Sequence, residues 1–222
     1  MNWKFWKQTK DYPPFWQDYL QRLHPPWPAK TPIEALDFVV FDTETSGLNA
    51  NNDKLLTIGA LRLHQQKIRL ADQYEVRVLR AENYRTDAVP IHGIVPNKQL
   101  GIPQARAARE FVHFLGNSIL VGHNIGFDVS MINQALAPLV DDQLRNPVLD
   151  TARLAIRVEH TRPTHLLNPS AYTLDALCDR YNIAMHDRHT ASGDALLTAY
   201  LLMRLLSRLK KRGVKTWGDL KR

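Results

Sequence analysis

The spacing of apolar and polar positions changes along this chain, and each change predicts an element. Residues 37–43 form a short apolar run, Phe38-Val39-Val40-Phe41, closing on Asp42 and Thr43, which predicts a buried strand. Residues 54–64 and 67–80 carry two more strand patterns separated by Gln65-Gln66, so the three form an antiparallel meander. Residues 83–100 hold two prolines and one glycine and read as a loop. A helix is expected over about 103–116, with Ala107, Phe111, Phe114 and Leu115 on its inner side. Ser118 to Gly122 reads as a short buried strand, and Ile125 to Leu136 as a helix stopped near Pro138. Val148-Leu149-Asp150 is another short strand, and Thr151 is placed to cap the helix carrying Leu154 and Ile156. A loop over 158–172 and helices over about 173–181 and 191–210 complete the pattern. Strands first, then helices alternating with short apolar strands, indicate an α/β layer fold on a mixed sheet.

The two ends have a different character. Before residue 37, Trp3, Phe5, Trp6, Phe15, Trp16, Tyr19 and Trp27 crowd together among prolines at 13, 14, 25, 26, 28 and 32. Phe15, Trp16, Tyr19, Leu20 and Leu23 follow helical spacing, and the prolines after them stop the helix. This segment reads as a brace packed on the main domain, as a docking segment for a protein partner, or as a contact for single-stranded nucleic acid. From Arg204 to Arg222 there are eight Lys or Arg and one acid, Asp219. That end is either a solvated helix terminus or an electrostatic guide for phosphates. The division expected is an extension over 1–36, a main domain over 37–210 and a basic tail over 211–222.

Composition narrows the functional classes. The 222 residues carry a formal charge of +7 and are 44% hydrophobic, enough for a core. A basic surface favours a polyanionic partner such as nucleic acid. The single cysteine, Cys178, forbids an internal disulfide and fits a reducing compartment; its spacing with Leu174, Leu177 and Tyr181 places it in the core. No run approaches the roughly 18 apolar residues of a membrane span, so the expectation is a soluble, cytoplasmic protein with no membrane role.

The candidate chemistry sits where apolar runs end. Asp42 and Glu44 stand two residues apart at a strand end, so they share one face just before a turn at Ser46-Gly47. Two acids that close repel, and a divalent metal would hold them; solvated acids are the plainer reading. Asp128 falls in the first turn of the helix after Val121-Gly122-His123-Asn124, and Asp194 near the start of the helix after His189-Thr190-Ala191-Ser192-Gly193. Ile91-His92-Gly93 lies in the loop after the meander. A two-metal site needs several hard oxygen ligands, and a histidine suits general-base work because its reference pKa is about 6.5. His123 is expected to brace its motif by a hydrogen bond, Asp150 to act as a cap or supporting acid, and Asp175 and Asp179 to be solvated.

Three of these stretches together resemble a known family. Asp42-Thr43-Glu44-Thr45-Ser46-Gly47, His123-Asn124-Ile125-Gly126-Phe127-Asp128 and His189-Thr190-Ala191-Ser192-Gly193-Asp194 resemble the three motifs of the DEDDh 3′–5′ exonucleases, which include the proofreading subunit of bacterial DNA polymerase III. The resemblance covers about residues 37–207. It implies a ribonuclease H-like fold with a five-stranded sheet ordered 3-2-1-4-5 and strand two antiparallel. It implies that Asp42, Glu44, Asp128 and Asp194 hold two Mg²⁺ or Mn²⁺ ions and that His189 is the general base. It also implies that Thr45 and Leu48 contact the terminal nucleotide, that Ile58 lies under the same base, and that His92 and Asn124 line the pocket. The activity implied is release of nucleoside 5′-monophosphates from the 3′ end of single-stranded DNA. Two alternatives are an exoribonuclease acting on short RNA or RNA 3′ ends, and a docking module that has lost catalysis.

Overall fold

The computed structural model describes residues 10–79, 101–160 and 168–222. A five-stranded sheet forms its middle layer. β1 (Asp37–Thr45) pairs antiparallel with β2 (Leu55–His64), which pairs antiparallel with β3 (Lys67–Arg77). On its other side β1 pairs parallel with β4 (Ile119–Gly122), and β4 parallel with β5 (Val148–Asp150). The strand order is therefore 3-2-1-4-5, as the resemblance implied, and the fold is ribonuclease H-like.

Alternation along β1 divides the core in two. Phe38 and Val40 point to one face, where they meet Leu61, Leu63, Ile119 and Val121. That face is covered by α4 (Thr151–Glu159), α5 (Leu174–Arg180) and α6 (Ala191–Lys211). Val39 and Phe41 point the other way, onto Ile58, Leu120, Phe111 and Met131. There the cover is α1 (Pro14–Arg22), α2 (Gln104–Leu115) and α3 (Gly126–Leu136). From Phe38 to Phe41 both faces of β1 are thus apolar, and polar residues resume at Asp42.

The packing at two places departs from the sequence reading. Asp150, itself expected as a cap or supporting acid, caps α4 in place of Thr151, accepting from the Ala152 amide. The Thr151 hydroxyl is drawn inward, donating to the Gly122 carbonyl and pairing with His123 Nδ1 at 3.0 Å. Asp175 is not a free surface acid; it is ion-paired with Arg188.

Both ends of the described chain are packed. Trp16 and Tyr19 are buried in the core against α2 and α3. At the other end α7 (Trp217–Leu220) buries Trp217 and Leu220 and bridges back through Thr216 to Pro32. The basic side chains of residues 210–212, 221 and 222 stay exposed around it. Among the described residues, no helix is long and apolar enough to cross a membrane.

Candidate active site

The acids meet at the end of β1, between the two helical layers. Even positions place Asp42 and Glu44 on the α6 side, and odd positions place Thr43 and Thr45 on the α3 side. The start of α6 lies against β2 at Gly59, the cross-strand partner of Asp42. A Cβ on Gly59 would fall 2.3 Å from the backbone of Ala191 and Ser192, so only glycine allows this approach. Gly193 is required for a similar reason, since its Cβ would sit 2.0 Å from the Asp187 carbonyl oxygen. With α6 this close, Asp194 in its first turn reaches β1. One oxygen from each of Asp42, Glu44 and Asp194 lies within 4.8 Å of the others.

Asp128 arrives from the opposite layer. Its Oδ1 accepts from the Thr43 amide at 3.0 Å and from the Thr43 hydroxyl at 2.6 Å. Thr43 therefore ties α3 to β1 between Asp42 and Glu44, a role the sequence reading did not assign. Thr43 sits between Asp42 and Glu44, and that alternation was the available signal.

The remaining expected residues are placed as follows. Thr45 donates to the Gly47 carbonyl at 2.7 Å, and Leu48, 90% exposed, projects from the turn beyond it. Asp53 holds this turn by accepting from Ser46 Oγ at 2.7 Å and the Asn49 amide at 2.8 Å. Ile58 is fully buried opposite Thr43 and offers no surface of its own to a ligand. Asn124 is exposed in the left-handed region, φ 56°, a conformation asparagine tolerates, and its amide donates to Asp150. His189 is exposed at φ 62° in the turn before α6. His123 pairs with Thr151, as expected of a brace. His92 lies outside the described residues.

The residue next to His189 was missed altogether. The Arg188 guanidinium is only 21% exposed and reaches inward to the site. It donates through Nη1 to Asp194 Oδ2, and through Nε and Nη2 to both oxygens of Asp175. Only its position next to the motif histidine could have drawn attention to it.

Comparison with known proteins agrees with this geometry. The family model described as Exonuclease matches residues 39–202, which contain all four acids and His189. The chain belongs to the DEDDh 3′–5′ exonuclease family. A DNA polymerase III subunit epsilon-like protein of Rhodobacter capsulatus is 34% identical over 194 residues, covering 86% of this exonuclease chain and 26% of that protein. The PolC-type DNA polymerase III of Bacillus subtilis is 28% identical over 190 residues, covering 85% of this chain and 13% of its own. The chain thus spans a small part of the relatives it matches. Among solved structures, E. coli Exonuclease I in complex with a dT13 oligonucleotide superposes with a TM-score of 0.67 at 20% identity. That match covers 80% of this chain and 42% of the other. A zinc-ion-bound E. coli ExoI–ssDNA complex gives a TM-score of 0.65 at 19% identity over the same shares. At such identity the likeness is one of fold.

The electrostatics of the exonuclease site favour a cation. Burial pushes the Asp42 carboxyl well above the usual range, and the charges of Asp128, Asp194 and Glu44 push the same way. Glu44 is pushed up to about 7, by burial first and then by Asp194. Burial also pushes Asp128 up to about 7, against the lowering effect of its bonds from Thr43. Asp194 Oδ1 is buried and has no hydrogen-bond partner. Crowded carboxylates, one of them carrying a buried unpartnered oxygen, are the kind of donor set that a hard divalent cation takes. The residues present therefore fit a divalent metal.

Proposed function

We propose that this chain is a metal-dependent 3′–5′ exonuclease that trims single-stranded DNA 3′ ends and releases nucleoside 5′-monophosphates. The observation that carries the reading is the meeting of Asp42, Glu44 and Asp194, with Asp128 bound behind them, at one strand end. Asp42, Glu44, Asp128 and Asp194 would hold two Mg²⁺ or Mn²⁺ ions, which when bound would supply Lewis acidity for the hydrolysis. His189 takes the proton from the attacking water as its oxygen bonds to phosphorus and the bond to the 3′ oxygen breaks. The exposure of His189 supports this role, because its ring can turn toward the substrate. Thr45 and Leu48 seat the 3′-terminal nucleotide, Leu48 as an apolar wedge and Ile58 as support from beneath. Asn124 and His92 line the same pocket.

Nucleic acid as the partner is supported by the net charge of +7 and by the oligonucleotide bound to the structural relative Exonuclease I. The names of the polymerase relatives support work in the cytoplasm beside a replicative partner. Residues 1–36 and the basic C-terminal segment are the places where such a partner would dock. The division into an extension, a domain over 37–210 and a tail remains part of this proposal.

The test is degradation of labelled single-stranded DNA, duplex DNA and matched RNA with Mg²⁺ or Mn²⁺, with a chelator control and the Asp42→Ala variant. The expected result is metal-dependent 3′ trimming, fastest on single-stranded DNA and lost in Asp42→Ala. Faster trimming of RNA would move the substrate to RNA 3′ ends. No activity with either metal would leave a silent docking module. Full activity in Asp42→Ala would refute the site.

A further inference from the structure

Arg188 makes three contacts, all to carboxylates, and they divide between two elements. Its Nε donates to Asp175 Oδ1 at 2.5 Å and its Nη2 to Asp175 Oδ2 at 3.1 Å. Asp175 is itself fixed in the first turn of α5, which Thr173 caps. This is the two-pronged geometry in which a guanidinium is held in one orientation by a carboxylate. The free prong, Nη1, goes to Asp194 Oδ2.

Asp194 is thereby treated asymmetrically. One carboxylate oxygen is occupied by Arg188, while the other, Oδ1, is buried with no partner. The same carboxylate contributes an oxygen to the cluster with Asp42 and Glu44. A carboxylate rotates easily about its terminal torsion, which has no sharp minima. Something must select which oxygen faces the cluster, and Arg188 is the one group bonded to this side chain among the described residues.

We propose that Asp175 and Arg188 form a positioning unit that fixes the Asp194 carboxylate for metal binding. Asp175 clamps the guanidinium, and the guanidinium holds Oδ2 so that Oδ1 is presented to the ion. The unit also spans His189, which lies between Arg188 and the α6 cap Thr190 in the left-handed region. Holding Arg188 from both sides keeps that turn, and with it the histidine, at the site. The inference rests on the metal-binding reading above.

The experiment is a Mn²⁺ titration of the full chain, with free Mn²⁺ followed by electron paramagnetic resonance. The panel is wild type, Arg188→Ala, Arg188→Lys, Asp175→Asn and Asp42→Ala, with circular dichroism showing that each is folded. Removing a group that orients a metal ligand costs about 10–100-fold in metal affinity. That loss is expected in both Arg188→Ala and Asp175→Asn, with partial recovery in Arg188→Lys, which keeps the charge but not the fork. Unchanged binding in Arg188→Ala overturns the proposal. Tighter binding also overturns it, because Arg188 would then be a competitor for Asp194. A loss confined to Arg188→Ala, with Asp175→Asn at wild-type affinity, overturns the clamp. Wild-type binding by Asp42→Ala would instead sink the metal site itself, so the two failures are distinguishable.

Discussion

Replacing Gly59 with alanine puts one carbon where the backbone of α6 already runs. The new Cβ would stand 2.3 Å from the Ala191 carbonyl carbon and the Ser192 nitrogen. Ordinary contact between such atoms is roughly 3.5–4.0 Å, so the helix start must retreat by about 1 Å or more. No side-chain rotation can relieve this, since the atoms in the way are main chain. Overpacking of this kind costs about 1–3 kcal/mol. For a chain of this size each kcal/mol lowers the melting temperature by about 2–4 °C. The expected loss is therefore roughly 2–12 °C.

The larger effect falls on activity. Asp194 lies three residues beyond Ala191, so the retreat carries it away from Asp42 and Glu44, whose oxygens now lie within 4.8 Å of its own. A misplacement of about 1 Å at a reacting centre can cost about 10²-fold in rate. Gly59→Ala should lose that much turnover and bind Mn²⁺ more weakly. Gly126→Ala is the control. Its Cβ would meet nothing within 4 Å, so it should raise stability by about 0.4–1 kcal/mol through the unfolded state. The measurements are thermal melts of both variants, single-turnover rates on single-stranded DNA, and Mn²⁺ titrations. If Gly59→Ala kept wild-type rate and metal affinity, the close approach at Gly59 would not be what sets the site.

Further outcomes follow from single contacts. In a denaturant melt above about pH 8, where Asp128 is ionised, Thr43→Val keeps the shape but removes the 2.6 Å bond to Asp128, and should cost about 1.5–3 kcal/mol, as bonds to charged groups do. Trp16→Ala empties a fully buried site and should cost about 3–5 kcal/mol; a change below 1 kcal/mol in the same melt would count against α1 as part of the core. In the presence of chelator, stability should fall as pH rises from about 5 to 8. Glu44 and Asp128 are pushed up to about 7 in the folded chain, so it binds more protons than the unfolded chain in that window. Saturating Mg²⁺ should flatten the fall by stabilising the ionised acids, and a melting temperature that rises with pH under chelator would refute the assignment.

The fold was legible because its elements are written in period and length. The run at 38–41 and the Gln65-Gln66 turn predicted the meander, and β1 to β3 lie where those patterns put them. The acids were legible because they stop apolar runs, which makes each one conspicuous. What was hidden depends on contacts between distant segments. Arg188 drew no reading from the sequence, because only the fold sets Asp175 and Asp194 on either side of it. The need for glycine at position 59 appears only once α6 is laid across the strand. Ile58 was assigned to the substrate pocket by resemblance alone, and only the packing against Phe41 and Val39 reveals how deep it lies. Thr151 was expected to cap its helix because threonine often does; Asp150, one residue earlier, has the extended backbone that a cap needs.

The N-terminal segment bears on the site through a continuous set of hydrogen bonds. Trp16 Nε1 donates to Asp142, and the Tyr19 hydroxyl accepts from the Arg145 amide and donates to Asn146 Oδ1. Asn146 in turn donates to the carbonyls of Gly116 and Ser118, on either side of the turn into β4. The bond from the Leu120 amide to the Pro147 carbonyl then fixes β5 beside β4. At the far end of β5, Asp150 accepts from the Asn124 amide and so supports the left-handed turn between β4 and α3. That turn presents Asn124 to the proposed pocket and leads directly into the helix that carries Asp128. Helix α1 lies outside the matched 39–202 region, yet it fastens the loop from which β5 starts. A three-residue edge strand has few contacts of its own, so its position depends on that loop. Helix α1 therefore supports, through that loop, the sheet edge that leads into the Asn124 turn and the helix carrying Asp128.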